Sequence, residues 1–288
     1  MPNSQTFLLG GDLPVNRIGF GAMRLAANGF TGPARDPERG RTVLRAAVEA
    51  GVNHIDTAAF YASDDGSLSA NAMIREALYP YPQDLVLATK VGPSRGADGH
   101  VHQQTAPDDI RRMVEQNLQE LGRDSLDLVY LRIGMADLPH GESLAARFEV
   151  LAAMRQEGLI RHLGLSNVDA GHLAEARAIA PVAAVQNHFH AAKRDDADLL
   201  RECEAAGIAF VPFFPLGGGM GDIAEEQVTL VAKRHGVTVH QIALAWLLAS
   251  SPVVLAIPGT GSPEHLAENM AAGRIRLTEE DMADLGAA

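Results

Sequence analysis

Lys90 is one of only three lysines in a chain of 288 residues, and it ends the apolar run Leu85-Val86-Leu87-Ala88-Thr89. An ammonium at the end of such a run needs an acid beside it. Asp56, which closes the stretch Asn53-His54-Ile55, is the natural partner, and Tyr61 follows shortly after it. Together the three types carry a definite chemistry. A free phenol has a pKa of about 10. A neighbouring ammonium lowers it and makes the phenol a usable proton donor at neutral pH, while the carboxylate holds the ammonium in place.

Polar or aromatic residues end the other apolar runs as well: Arg132, Ser166-Asn167, Gln186-Asn187 and Phe213-Phe214-Pro215. Any one of them alone also fits a helix cap. Their regularity points to the elements that must carry them. Candidate strands fall at residues 17–21, 53–56, 85–90, 126–132, 160–165, 183–186, 209–213 and 253–257. Between them lie segments with helical spacing. Ile110, Met113, Val114, Leu118 and Leu121 make one apolar stripe, Leu144, Phe148, Leu151 and Met154 another, and Ile242, Trp246 and Leu247 a third. Gly51, Gly158 and Gly207 each stand just past a helix and just before a strand, as αβ turns require. A βα unit repeated about eight times in about 250 residues predicts an α/β (β/α)8 barrel, one domain over residues 1–288. An N-terminal hairpin turning at Gly10-Gly11, between residues 6–9 and 13–15, and added C-terminal helices account for the extra length. The alternative is a doubly wound open sheet, but Gly19-Phe20-Gly21-Ala22-Met23-Arg24 lacks the third glycine of its fingerprint.

Composition narrows the setting. At 30.6 kDa about 73% of the unfolded surface would be buried, so the core needs no disulfide or metal. Cys203 is the single cysteine, which suits a reducing compartment. The formal charge of −12 opposes contact with nucleic acid or an anionic membrane. Residues 1–9 do not read as a signal peptide, and no apolar stretch has membrane length. A cytoplasmic protein acting on a small molecule is expected, with the oligomeric state left open.

In chain order the motifs are Ile18-Gly19-Phe20-Gly21-Ala22-Met23-Arg24-Leu25, Asn53-His54-Ile55-Asp56-Thr57-Ala58 with Tyr61, Ala88-Thr89-Lys90-Val91-Gly92, and Gly164-Leu165-Ser166-Asn167. Val185-Gln186-Asn187, Phe214-Pro215-Leu216-Gly217, and Ile257-Pro258-Gly259-Thr260 with Glu268-Asn269 follow. In this order and spacing the sequence resembles the aldo-keto reductase family over nearly its whole length. The resemblance implies an oxidoreductase that uses NADPH, or NADH as the alternative, to reduce a small aldehyde or ketone to an alcohol. It implies that Tyr61 protonates the carbonyl oxygen as hydride arrives at carbon, that Lys90 tunes Tyr61, and that Asp56 orients Lys90. Ser166, Asn167 and Gln186 would hydrogen-bond the nicotinamide carboxamide, and Phe213 would stack on the ring where the family usually has tyrosine. Gly21, Ala22, Met23, Asp56, Pro215, Leu216 and Gly217 would border the cofactor. Gly259, Thr260, Ser262 and His265 fall around the adenosine 2′-phosphate, and Glu268 and Asn269 at the adenine.

Backbone N–H groups of Leu216-Gly217-Gly218-Gly219 and the start of a helix at Ser262-Pro263-Glu264 suit the cofactor's phosphates, although the glycines also fit a plain flexible loop. The sequence departs from the family at two places. Arg132 stands where a histidine is usual; it would stabilise the developing oxyanion, or else form a structural ion pair facing away from the cofactor. Gly259 and His265 stand where NADPH-specific members often have Lys or Arg. His100-Val101-His102 and His188-Phe189-His190 have a metal-site spacing, but Lys90 and Arg132 at the strand ends oppose a divalent ion, so no metal is expected. A cofactor-binding sensor subunit with little turnover is the rival reading, and a metal-dependent hydrolase a third. The loops at 25–36, carrying Phe30, and 93–106 would shape a partly apolar substrate pocket.

Overall fold

The structure, a computed structural model, describes residues 5–29, 32–95, 101–102, 105–134, 142–219 and 226–286. Its strands are β1 (Thr6–Leu9), β2 (Leu13–Asn16), β3 (Phe20–Gly21), β4 (His54–Asp56), β5 (Val86–Val91), β6 (Ser94–Arg95), β7 (Val101–His102), β8 (Leu126–Arg132), β9 (Ile160–Ser166), β10 (Val182–Gln186) and β11 (Ala209–Phe210). Its helices are α1 (Met23–Ala26), α2 (Pro37–Glu49), α3 (Ala70–Leu78), α4 (Pro107–Leu121), α5 (Ala145–Gln156), α6 (Ala170–Ile179), α7 (Ala197–Ala206), α8 (Glu226–His235), α9 (Val239–Ser250), α10 (Pro263–Ala271) and α11 (Glu279–Leu285).

Seven strands run parallel in the order β11-β10-β9-β8-β5-β4-β3. An eighth stave closes the cylinder through parallel bridges from Phe210 to Val254 and from Ile18 to Ala256. The bonds are Leu255 N–H to the Phe210 carbonyl at 2.9 Å, Ala256 N–H to Arg17 at 2.9 Å, and Gly19 N–H to Ala256 at 2.8 Å. The predicted strand at 253–257 is therefore present as a stave but makes no ladder. Pro252 and Pro258 flank it and bring no N–H to extend the pairing. The predicted strand at 209–213 likewise shortens to β11, although Val211 and Phe213 still donate to Val185 and Asn187 at 2.7 and 2.9 Å.

Strand alternation sorts the apolar residues into two clusters. Val86, Ala88, Leu128, Tyr130, Ala184, Ala209, Leu255 and Ile257 fill the barrel, together with Leu9, Leu13 and Val15 of the β1–β2 hairpin, which plugs one end. Val129, Leu131, Leu163, Leu165 and Val185 face the helices instead. Lys90 follows Val86 and Ala88 at two-residue spacing, and Arg132 follows Leu128 and Tyr130 in the same way, so both point inward at the rim. Buried Arg17 ties the closure, donating to the carbonyls of Val254, Leu248 and Ser251 at 3.0, 2.8 and 2.5 Å. The carbonyls of Leu248 and Ser251 stand at the end of α9, where the helix leaves its last C=O groups without intrahelical partners. The αβ turns end as the sequence requires, with Gly158 at φ 83° and Gly207 at φ 66°. Among the described residues no helix is long and apolar enough to cross a membrane.

Candidate active site

The rim carries the predicted acid, amine and phenol together. Lys90, 1% exposed, donates from Nζ to Asp56 Oδ1 at 2.5 Å and to the Thr57 carbonyl at 3.0 Å. Asp56 Oδ2 accepts from Gln186 Nε2 at 2.7 Å. Tyr61, also buried, has its ring centroid 4.9 Å from Lys90 Nζ, and the ammonium acts on the phenol through both charge and a hydrogen bond. Local structure fixes the phenol: Tyr61 N–H donates to Ala58 at 3.0 Å, Ala70 N–H donates to the Tyr61 carbonyl at 2.9 Å, and the Phe60 ring meets Tyr61 edge-on at 5.0 Å.

The electrostatics correct one expectation. The Tyr61 pKa lies above the ordinary phenol value, because burial outweighs the lowering by Lys90 and Arg132, and Asp56 adds to the rise. The phenol is thus protonated at neutral pH, and the two cations restrain its pKa without bringing it below the ordinary value. Arg132, 3% exposed, donates from Nη1 to Ser166 Oγ at 2.9 Å, and its guanidinium lies 4.7 Å over the Phe213 ring. Burial lowers its pKa, opposed by Tyr61 and Asp56.

A cleft of about 530 Å³ opens beside Tyr61 and Asp56. Its walls hold Gly21, Met23, Phe213, Pro215, Leu216, Gly259, Thr260, Ser262, His265, Glu268 and Asn269. Ala22, Ser166, Asn167, Gln186 and Gly217 are buried next to it but do not line it. Gln186 is turned onto Asp56, Asn167 Nδ2 donates to the Ile133 carbonyl at 2.7 Å, and the Gly217 N–H already donates to Phe214 at 2.9 Å. Ser262 caps α10, its hydroxyl accepting from His265 N–H at 3.3 Å and donating to Glu264 at 2.5 Å. A Cβ on Gly21 would lie 2.7 Å from the Ile257 carbonyl, so the first and last staves meet too closely there for a side chain. The set suits a dinucleotide: a cleft within the usual size of ligand pockets, walled by both the buried phenol and the capped start of α10.

Several contributors escape the sequence. Tyr130 is buried under the rim and faces Asp56 and Gln186. Its ring occupies the space a Cβ on Gly164 would take, 2.6 Å away. Thr57 Oγ1 donates to Asn71 at 2.8 Å, and Asn71 Nδ2 and Thr89 Oγ1 donate to Asn117 Oδ1 at 3.0 and 2.5 Å, bracing the strand ends that carry Asp56 and Lys90. The only sequence signal is a polar Asn117 inside the apolar stripe of α4. His188 stacks on Phe213 at 5.3 Å, and its pKa is pushed down to about 4 by burial and by His190, Lys193 and Arg132, so it is a neutral group at the same end. Among the described residues no group of His, Cys, Asp and Glu could hold a metal ion. His100 and Phe30 lie outside the described residues.

Comparison with known proteins gives the family. The chain is 47% identical over 286 residues to the pyridoxine 4-dehydrogenase of Escherichia coli (strain K12), covering 98% of each. A crystal structure of a thermostable aldo-keto reductase with the inhibitor epalrestat superposes with a TM-score of 0.83, at 30% identity and 98% coverage of each chain. An aldo/keto reductase from Klebsiella pneumoniae, crystallised with NADP and acetate, gives 0.79 at 29% identity, covering 98% of this chain and 94% of that one. The profile described as Aldo/keto reductase family matches residues 17–288, so that the closed parallel barrel and the motifs at its rim have one explanation: the chain belongs to the aldo/keto reductase family of oxidoreductases.

Proposed function

We propose that this protein is a single-domain, NADPH-dependent reductase of a small aldehyde, with Tyr61 as the proton donor and the pyridoxal/pyridoxine pair as its substrate couple. The observation that carries the reading is the 2.5 Å contact of Lys90 with Asp56 beneath the Tyr61 phenol, at the edge of the cleft. The Klebsiella relative holding NADP supports the cofactor, and the name of the E. coli relative supports the substrate couple.

NADPH, when bound, supplies the hydride. Tyr61 gives its proton to the carbonyl oxygen, leaving a phenolate. The Lys90 ammonium stabilises that phenolate and is itself held by Asp56, so the charge created by the proton transfer finds a cation already in place. Arg132 adds a second positive charge on the same side. Phe213, Phe214, Pro215, Leu216 and Gly218 line the cleft and would border the nicotinamide, while Glu268 and Asn269 would meet the adenine. The lone, buried thiol of Cys203 supports a reducing, cytoplasmic setting.

The test is a single turnover. Protein preloaded with NADPH is mixed with pyridoxal and with a panel of simple aldehydes, and the absorbance of reduced nicotinamide is followed. Loss of the signal within one turnover, fastest with pyridoxal, supports the reading. Tight NADPH binding with a signal that persists against every aldehyde would assign the barrel to sensing instead.

A further inference from the structure

The two positions after the last stave where a fixed cation would be looked for, Gly259 and His265, hold none, yet the cleft between them is not short of positive charge. Arg24, Arg35 and Arg39 line the same cleft, brought from α1, the connection after it and α2. Among the described residues none of the three forms an ion pair, which is notable in a chain of net charge −12. Arg39 Nε donates to the Gly261 carbonyl at 2.6 Å, and Arg35 Nη2 would stand 3.1 Å from a Cβ on Gly261. Gly261 therefore lets the Arg35 guanidinium close over the turn that leads to Ser262 and His265, while its carbonyl holds Arg39. Arg24 donates to the Gly218 carbonyl, and both line the cleft. A recess of about 190 Å³, lined by the three arginines with Asp36, Gly40 and Gly261, continues from this wall.

We propose that Arg35 and Arg39 bind the 2′-phosphate of NADPH and so select it over NADH, the cations coming from the first helix of the barrel instead of the loop after its last strand. The inference rests on the reading that this cleft takes a nicotinamide dinucleotide. A phosphomonoester is a dianion near neutral pH, and planar guanidinium forks match its oxygens. Ser262 and His265 add a hydroxyl and an imidazole at the same end of the cleft. The opposing carboxylates are few. Asp36 is engaged in capping α2 through Glu38 N–H at 3.0 Å. Glu264 takes the Ser262 hydroxyl and lies within the field of Arg39 and His265, and the acids in the wall are Glu268 and Asp56, the latter paired with Lys90. Arg39 is partly committed to Gly261, so Arg35 is the freer fork, with a 3.4 Å contact to Asn28 Oδ1.

The test compares NADPH, NADH and adenosine 2′,5′-bisphosphate as probes on the full chain. Binding is followed by titration and KM by steady-state kinetics. For Arg35→Met, dissociation constants for NADPH and the bisphosphate should rise about 10- to 100-fold, the loss expected for charge-assisted hydrogen bonds, while that for NADH stays within about twofold. Arg35→Lys should recover part of the affinity. Arg39→Met should act in the same direction. Because it also releases Gly261, its NADPH/NADH ratio is the quantity read. Equal weakening of NADPH and NADH in Arg35→Met, or no change in either, overturns the proposal. A wild-type protein that binds neither nucleotide overturns the cofactor reading itself, whereas one that binds both and is indifferent to Arg35 overturns only this assignment.

Discussion

Gln186 and Lys90 hold opposite oxygens of one carboxylate. Gln186 Nε2 donates to Asp56 Oδ2 at 2.7 Å, and Lys90 Nζ donates to Oδ1 at 2.5 Å. The sequence resemblance assigns Gln186 to the nicotinamide carboxamide, but in the structure its amide nitrogen belongs to the group that holds Lys90. In Gln186→Leu, Oδ2 of a buried carboxylate would lose its donor. A hydrogen bond to a charged group contributes about 1.5–3 kcal/mol, so kcat should fall about tenfold or more. The KM for NADPH should change less. Steady-state kinetics with each substrate varied in turn separates the roles, since an effect confined to the NADPH KM would mean that Gln186 serves the cofactor alone.

The position of Tyr61 sets the direction of the pH dependence. Burial raises its pKa, with Lys90 and Arg132 opposing. A raised pKa keeps the phenol protonated, and in the proposed mechanism reduction consumes that proton. The reduction rate should therefore stay level through neutral pH and fall only as the pH passes about 10, the ordinary phenol value. Tyr61→Phe should lose about 100- to 10,000-fold in kcat with its fold intact. Reduction that declines already between pH 7 and 8, or a phenylalanine variant with near-normal turnover, would remove Tyr61 as the donor.

What could be read from the sequence follows from what period and position reveal. Asp56, Lys90 and Arg132 were legible because each ends an apolar run, and strand alternation then places them at one rim. Tyr130 was not. An aromatic within an apolar strand reads as core, and only the gap at Gly164 and the neighbouring Asp56 and Gln186 mark it as part of the site. Asn71 and Asn117 sit on different helices and acquire meaning only when α3 and α4 pack side by side. Arg39 reaches Gly261 across 222 positions of sequence, a separation that no local pattern bridges. The last stave reads as an ordinary strand because its side chains are apolar, whereas its pairing is limited by backbone donors that Pro252 and Pro258 lack.

His54 predicts an acid sensitivity unrelated to catalysis. It is buried in β4, its ring fills the space beside Gly19, and burial pushes its pKa down to about 4 from an ordinary value of 6.5, opposed by Asn16. The folded state therefore refuses a proton that the unfolded chain accepts. The stability this gives is fully present above pH 6.5 and is lost as the pH falls from 6.5 towards 4, by up to about 3 kcal/mol. Chemical denaturation at a series of pH values should show that slope in the wild type and a flatter one in His54→Leu. Parallel slopes in the two proteins would mean that His54 takes no part.

Arg132 is the sharpest departure from the family pattern, and its surroundings favour a part in the chemistry. Its guanidinium bonds Ser166 at 2.9 Å, lies 4.7 Å over Phe213, and adds positive charge at Tyr61. As hydride reaches the carbonyl carbon, negative charge grows on the oxygen, and a buried cation nearby is worth most at that moment. Arg132→Met should lower kcat at least about tenfold, because it removes an interaction that strengthens in the transition state. Arg132→Lys distinguishes charge from shape: lysine keeps the cation but loses the planar fork, so partial recovery assigns the effect to charge, and none assigns it to the guanidinium geometry. Thermal melting of each variant separates a loss of fold through Ser166 from a loss of rate. A methionine variant that melts normally and turns over at the wild-type rate would leave Tyr61, Lys90 and Asp56 to act without it.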